Sequence, residues 1–69
     1  MKVREVVRRL ERNGFQFTRQ SGSHRRFKGT VKGRTRMVTV PGADGDDVPK
    51  GTLGAIRRQS GLPARLFRQ

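Results

Sequence analysis

The chain has 69 residues, no cysteine, tryptophan or tyrosine, and a formal net charge of +12, from 17 lysines and arginines against 5 acidic residues. Its length predicts a single domain, residues 1–69, with a thin core. The lack of cysteine excludes disulfides and cysteine–zinc sites and is compatible with the cytoplasm. No apolar run is long enough to span a bilayer, and the first residues lack the apolar stretch of a signal peptide. Such an excess of positive charge attracts polyanions, for which nucleic acid, an anionic membrane surface and an acidic protein are candidates.

Residues 2–13 are predicted to form an amphipathic helix. Its apolar residues fall at the i, i+3, i+4 and i+7 positions of one face: Val3, Val6, Val7 and Leu10. Gly14 is suited to the left-handed position that follows a helix, so Asn13-Gly14 is predicted to end it.

Two half-buried strands are predicted next, over residues 15–20 and 24–28, joined by a short glycine-containing turn. Phe15 and Phe17 alternate with polar residues, which places both on the face toward the core. Phe27 joins the core from the second strand. By the period of two, the opposite face of that strand carries His24, Arg26 and Lys28.

Residues 29–33 are predicted to form a hairpin loop and residues 34–40 a third strand. This strand has apolar residues on both faces, Val38 and Val40 on one and Met37 on the other, so the sequence leaves its buried face open. Three strands joined by short connections predict an antiparallel meander, because parallel pairing needs a crossover.

A loop with three aspartates then leads to a second helix, which has Pro49 in its first turn and Asp47 or Thr52 as candidate cap. Gly61 ends this helix, and a short final turn is expected to lay Leu62, Leu66 and Phe67 on the core. The order is α-β-β-β-α, an α+β fold with a three-stranded antiparallel sheet and two helices on one face. The acidic loop lacks the register of a calcium loop, so no metal site is expected.

His24 is the only histidine, and basic residues follow it directly. Imidazole is the only side chain whose unperturbed charge changes near neutral pH. RNA carries its own nucleophile, the 2′-hydroxyl, so cleavage without a metal needs a base, an acid and cations near phosphorus. His24 is suited to either proton role. Arg25, Arg26 and Lys28 are the predicted phosphate contacts, and Arg26 and Lys28 rank first because they share its face.

The start of the second helix is a further candidate anion site. Lys50, Gly51 and Thr52 offer a cation, backbone N–H groups that a ligand can approach closely, and a hydroxyl. The alternative interpretation of these residues is an ordinary helix start.

Several segments of the chain together resemble one protein family. In chain order they are Asn13-Gly14-Phe15, Gly22-Ser23-His24-Arg25-Arg26-Phe27, Val38-Thr39-Val40-Pro41, Pro49-Lys50-Gly51-Thr52-Leu53 and Gln59-Ser60-Gly61-Leu62. Their order and spacing resemble the HicA toxins, small mRNA interferases of bacterial and archaeal toxin–antitoxin pairs.

This resemblance implies a fold like the double-stranded RNA-binding domain and cleavage of mRNA without a metal or cofactor. His24 would be the essential histidine, Gly22 the small residue that lets the turn bring it to the sheet edge, and Ser23 a further RNA contact. It also implies a HicB-type antitoxin that covers the active face, and higher-order toxin–antitoxin complexes. Many relatives carry a second histidine two residues after the proline that ends the third strand, where this chain has Ala43.

Two other functions fit the same residues. The charge and fold also suit a non-catalytic RNA-binding module, and the absence of the second histidine slightly favours this alternative. A role on anionic membranes would use the basic first helix, which is short and lacks aromatic anchors; no membrane partner is therefore expected.

Overall fold

The computed structural model describes residues 1–68, and its elements follow in the predicted order. Their bounds are α1 Val3–Arg12, β1 Gln16–Ser21, β2 His24–Val31, β3 Arg34–Pro41, α2 Lys50–Ser60 and a C-terminal 3-10 turn, Ala64–Phe67. The strands form one antiparallel sheet in the order β1-β2-β3. The α+β fold expected from the sequence is confirmed.

The hydrophobic core lies between one face of the sheet and a helix layer made of α1, α2 and the 3-10 turn. Its buried apolar side chains are Val3, Val6, Leu10, Phe15, Phe27, Val38, Val40, Val48, Ile56 and Phe67. Val38 and Val40 are buried whereas Met37 is 49% exposed, which decides the orientation of β3. No helix of residues 1–68 lies against the opposite side of the sheet, which carries Met37 and is called the open face below.

β1 is an edge strand, and the prediction that Phe17 lies in the core is wrong. All six residues of β1 are exposed, and Phe17 itself is 51% exposed. Phe15 is buried but precedes the strand. The helices lie mainly against β3, so the apolar side of β1 extends beyond their cover. Phe17 instead contacts the ring of Phe27 edge-on, with centroids 5.9 Å apart.

The hairpin between β2 and β3 is tighter than predicted. β2 continues to Val31, and only Lys32 and Gly33 form the turn, both with positive φ, as a two-residue type I′ turn requires. Gly29 therefore lies inside β2 and not in a loop. The ring of Phe15 lies directly over it: a Cβ at Gly29 would be 2.7 Å from Cγ of Phe15. A glycine that looks like a loop residue in the sequence is a packing position.

The loop between β3 and α2 also departs from the prediction. Neither Asp47 nor Thr52 caps α2; Pro49 occupies the N-cap position, with no side-chain hydrogen bond to the helix start. Asp47 forms an ion pair with Lys2 at 3.2 Å, and its backbone pairs with Lys2 in an isolated bridge. The loop is thus fastened to the start of α1. Neither helix within residues 1–68 is long and apolar enough to cross a membrane.

Candidate functional site

His24 is the first residue of β2 and directly follows a two-residue turn. Ser21 and His24 close the turn as a strand pair, and Gly22, at φ 59°, takes the left-handed conformation at the first turn position. The side-chain amide of Gln20 donates a hydrogen bond to the Gly22 carbonyl at 2.8 Å. The turn has only two residues and is held by this hydrogen bond, which fixes His24 at the start of β2.

The open face carries His24 in a row with two cations. Burial alternates along β2: His24, Arg26 and Lys28 are exposed, whereas Phe27 is buried and Arg25 half-buried. Alternate residues of a strand lie about 6.6 Å apart, so an imidazole and two positive side chains follow one another at regular intervals. The structure brings together three residues that the sequence predicted for one face.

Arg19 adds a third cation to the open face, and sequence reasoning missed it. Simple alternation from Phe17 places Arg19 on the core side. A β-bulge between Phe17 and Arg19 shifts the register, so that Arg19 pairs with Arg26 and shares its face. The Thr18 hydroxyl donates a hydrogen bond to the Arg26 carbonyl at 3.0 Å within this bulge. The sequence contains no turn or glycine signal that would locate the extra residue.

These cations are not neutralised by the acids of residues 1–68. The ion pairs in this part of the chain involve Lys2, Arg8, Arg9 and Arg25, but not Arg19, Arg26 or Lys28. Like charges directly opposite each other on neighbouring strands are destabilising. A polyanion lying along the open face relieves the repulsion between Arg19 and Arg26, so the arrangement is suited to hold a phosphodiester beside His24.

Arg25 occupies a different environment from the other predicted phosphate contacts. Its side chain is 18% exposed and forms an ion pair with Asp44 at 2.8 Å. It also donates a hydrogen bond to the Gly42 carbonyl at 3.4 Å. Its guanidinium therefore ties the start of β2 to the loop after β3, on the side of the sheet away from Arg26.

The remaining predicted residues divide between two regions. Ser23 is exposed beside His24, and its carbonyl accepts a hydrogen bond from the Gly42 N–H at 3.0 Å. Lys50 and Thr52 lie at the start of α2, in the helix layer, and are not part of the row on the open face. The structure does not unite these two candidate anion sites on one surface.

Ala43 stands close to the start of β2. Pro41 pairs with His24, and the hydrogen bond from Gly42 to Ser23 extends this pairing by one step. Ala43 follows at once, exposed, with its N–H donated to the Asp46 carboxylate at 3.0 Å. A side chain at this position lies next to the turn that holds His24, but alanine offers no group that transfers a proton.

The site contains no metal-ligand cluster: residues 1–68 hold no group of three or more His, Cys, Asp or Glu side chains arranged to bind a metal ion. Comparison with curated proteins finds no match. A family model described as the HicA toxin of bacterial toxin–antitoxin systems matches residues 3–62 of the 69-residue chain. This match spans α1 to the second residue after α2, including the turn of His24 and the whole sheet. The chain therefore belongs to the HicA toxin family.

Proposed function

We propose that this protein is an endoribonuclease that acts in the cytoplasm and cleaves mRNA at the open face, with His24 as its acid–base group. One observation carries the proposal: an exposed imidazole stands in a row with Arg26 and Lys28, on a sheet face whose cations have no carboxylate partner within residues 1–68. Membership of a toxin family supports an activity directed at an essential cellular molecule such as mRNA.

In the proposed reaction the RNA supplies the nucleophile. A base removes the proton of the 2′-hydroxyl, and its oxygen bonds to the adjacent phosphorus while the bond from phosphorus to the 5′-oxygen breaks. An acid protonates this leaving oxygen, so the products are a 2′,3′-cyclic phosphate and a 5′-hydroxyl end. Cations stabilise the negative charge that develops on the phosphoryl oxygens. No metal or cofactor is required for this sequence of bond changes.

The residues of the open face have distinct roles in this proposal. His24 performs one proton transfer, and Arg26 with Arg19 holds the phosphate at the cleavage point. Lys28 and Ser23 bind the neighbouring backbone, while Lys50 and Thr52 offer a separate anion contact. Because Ala43 provides no second imidazole, either water performs the other proton transfer or His24 performs both transfers in turn. We expect slow turnover, which suffices for scarce messages.

A partner antitoxin of the HicB type would neutralise this activity by covering the open face. Toxin–antitoxin family membership supports a partner in general terms. The unneutralised cations predict that the covering surface is acidic.

The decisive experiment compares the wild type with His24→Ala. Purified proteins are incubated with single-stranded RNA in chelator, and cleavage and binding are measured separately. We expect cleavage to fall by about 10²–10⁴-fold, the range for loss of one acid–base group, while binding is retained because the cations remain. Equal cleavage by both proteins, or equal growth arrest when each is induced in cells, would refute the proposal.

The second candidate function is RNA binding without cleavage, which the alanine at position 43 favours. It predicts that the wild type binds RNA but leaves it intact in the same assay. The experiment therefore separates the two functions directly.

A further inference from the structure

A second surface with unusual composition lies in the helix layer, on the far side of the sheet from His24. A groove of about 580 Å³ runs between α2 and the C-terminal 3-10 turn. Its apolar wall includes Leu53 and the buried Phe67, and its rim carries Lys50, Arg57 and Arg68. The volume is in the range of ordinary binding clefts, and none of the described residues that line it is acidic.

The residues that α2 contributes follow one stripe of the helix. Lys50, Leu53, Gly54 and Arg57 have the spacing i, i+3, i+4 and i+7, which places them on one face. The two cations are seven residues apart, or about 10 Å along the axis. Between them lies an apolar stretch that is open at its centre, because Gly54 has no side chain. The groove is thus two helical turns long, with a positive charge at each end.

The charges at its ends have no partner among the described acids. None of the ion pairs formed within residues 1–68 involves Lys50, Arg57 or Arg68. RNA would neutralise these cations but would leave the apolar wall without a matching surface. A membrane is flat, and its acyl chains would not follow a cleft between two elements. A protein segment with both carboxylates and apolar side chains matches the charge and the wall together.

We propose that this groove binds an acidic amphipathic helix of a partner protein. Two carboxylates of that helix, about two turns apart, pair with Lys50 and Arg57. Apolar side chains between them fill the space over Gly54, against Leu53 and Phe67. The docked helix leaves the open face uncovered, so this contact anchors a partner independently of whatever covers His24.

Gly54 allows a specific test. Within residues 1–68, a Cβ built at this position meets only Nη1 of Arg58, at 3.4 Å, and its φ is not positive. Gly54→Leu therefore fills the groove without disturbing the core. Gly51→Leu is the matched control: it is the same substitution on the same helix, no atom of the described residues lies within 4 Å of the added Cβ, and Gly51 does not line the groove.

The probe is a synthetic helical peptide with two glutamates seven residues apart and leucines at the third and fourth positions after the first glutamate. A second peptide of equal composition carries the leucines on the opposite face. Amide chemical shifts of the full chain, labelled with nitrogen-15, report where each peptide binds. We expect the first peptide to shift amides of α2 and of residues 64–67, and the second to bind weakly.

Gly54→Leu should weaken binding by at least about tenfold, because burial of one leucine side chain contributes that much or more. Gly51→Leu should leave binding unchanged, whereas Lys50→Glu combined with Arg57→Glu should abolish it. Unaltered affinity in Gly54→Leu overturns the proposal, as does a larger response of the amides of residues 53–57 and 64–67, outside the anion contact of Lys50 and Thr52, to RNA or to phosphatidylglycerol vesicles. His24→Ala keeps the groove intact, so loss of the ribonuclease activity and loss of the docking site are separately observable.

Discussion

Replacing Gly29 with alanine is the sharpest test of the core packing, because the structure predicts a loss of stability whereas the strand preference of alanine over glycine predicts a gain. Glycine inside a strand weakens it, and alanine at such a position ordinarily adds about 0.5–1 kcal/mol of stability. In this sheet, however, the added Cβ would lie 2.7, 2.8 and 2.9 Å from three ring atoms of Phe15. The ring is only 1% exposed, so it has no space into which to move.

The magnitude follows from the cost of overpacking. Forcing an extra methyl group into a filled core costs about 1–3 kcal/mol. The stability that alanine adds over glycine in a strand, about 0.5–1 kcal/mol, is subtracted from this cost. We expect a net loss of about 1–2 kcal/mol. A chain of 69 residues has a free energy of unfolding of roughly 3–10 kcal/mol. A loss of this size lowers Tm by about 5–15 °C in a domain of this length.

The assay is urea and thermal unfolding followed by circular dichroism, since the chain has no tryptophan or tyrosine for fluorescence. Gly51→Ala is the control, because nothing lies within 4 Å of its added Cβ and alanine favours the helix. In a Phe15→Leu background the penalty at Gly29 should shrink, which identifies the ring as its cause. A Gly29→Ala variant as stable as the wild type would refute the packing argument.

Three further predictions concern other parts of the molecule. Ser60→Ala should cost about 1–2 kcal/mol in urea unfolding, because the fully buried Ser60 Oγ accepts a hydrogen bond from the Leu62 N–H at 3.1 Å. Phe17→Ala should cost only about 1 kcal/mol, the value of an aromatic pair, since the ring is half exposed. Arg19→Ala should reduce the log–log salt dependence of RNA binding by about 0.7, one phosphate contact on a single strand. The same change should slightly raise stability at low salt, because it removes the cross-strand repulsion with Arg26.

Each of these has a matched comparison. Ser21→Ala, at an exposed position, should leave the urea midpoint unchanged. A loss of about 3–5 kcal/mol at Phe17, the cost at a fully buried phenylalanine, would contradict its edge position. Arg65→Ala removes one charge from the exposed part of the 3-10 turn and should not alter the salt dependence of RNA binding. An equal effect of Arg65→Ala and Arg19→Ala would argue against RNA binding at the open face.

The sequence was most informative where a residue's neighbours along the chain decide its environment. The valine and leucine spacing of α1, the glycines after both helices and the alternation around Phe27 each determine local geometry, and the structure agrees with them. The row of His24, Arg26 and Lys28 follows from that alternation alone. The place of Arg19 on the open face did not follow from the sequence, because a bulge changes the register by one residue. The position of the bulge depends on how two strands pair.

Patterning along the chain therefore determined the order of elements, the antiparallel sheet and the face on which His24 stands, because these depend on periodicity and turn chemistry over a few residues. Tertiary packing decided which side of β3 is buried, that Phe17 extends beyond the helices, and that Gly29 lies beneath Phe15. It also decided that Arg25, which alternation already places on the other face of the sheet from Arg26, pairs with Asp44. These outcomes depend on groups brought together from distant parts of the chain, whose contacts have no signature in the local sequence.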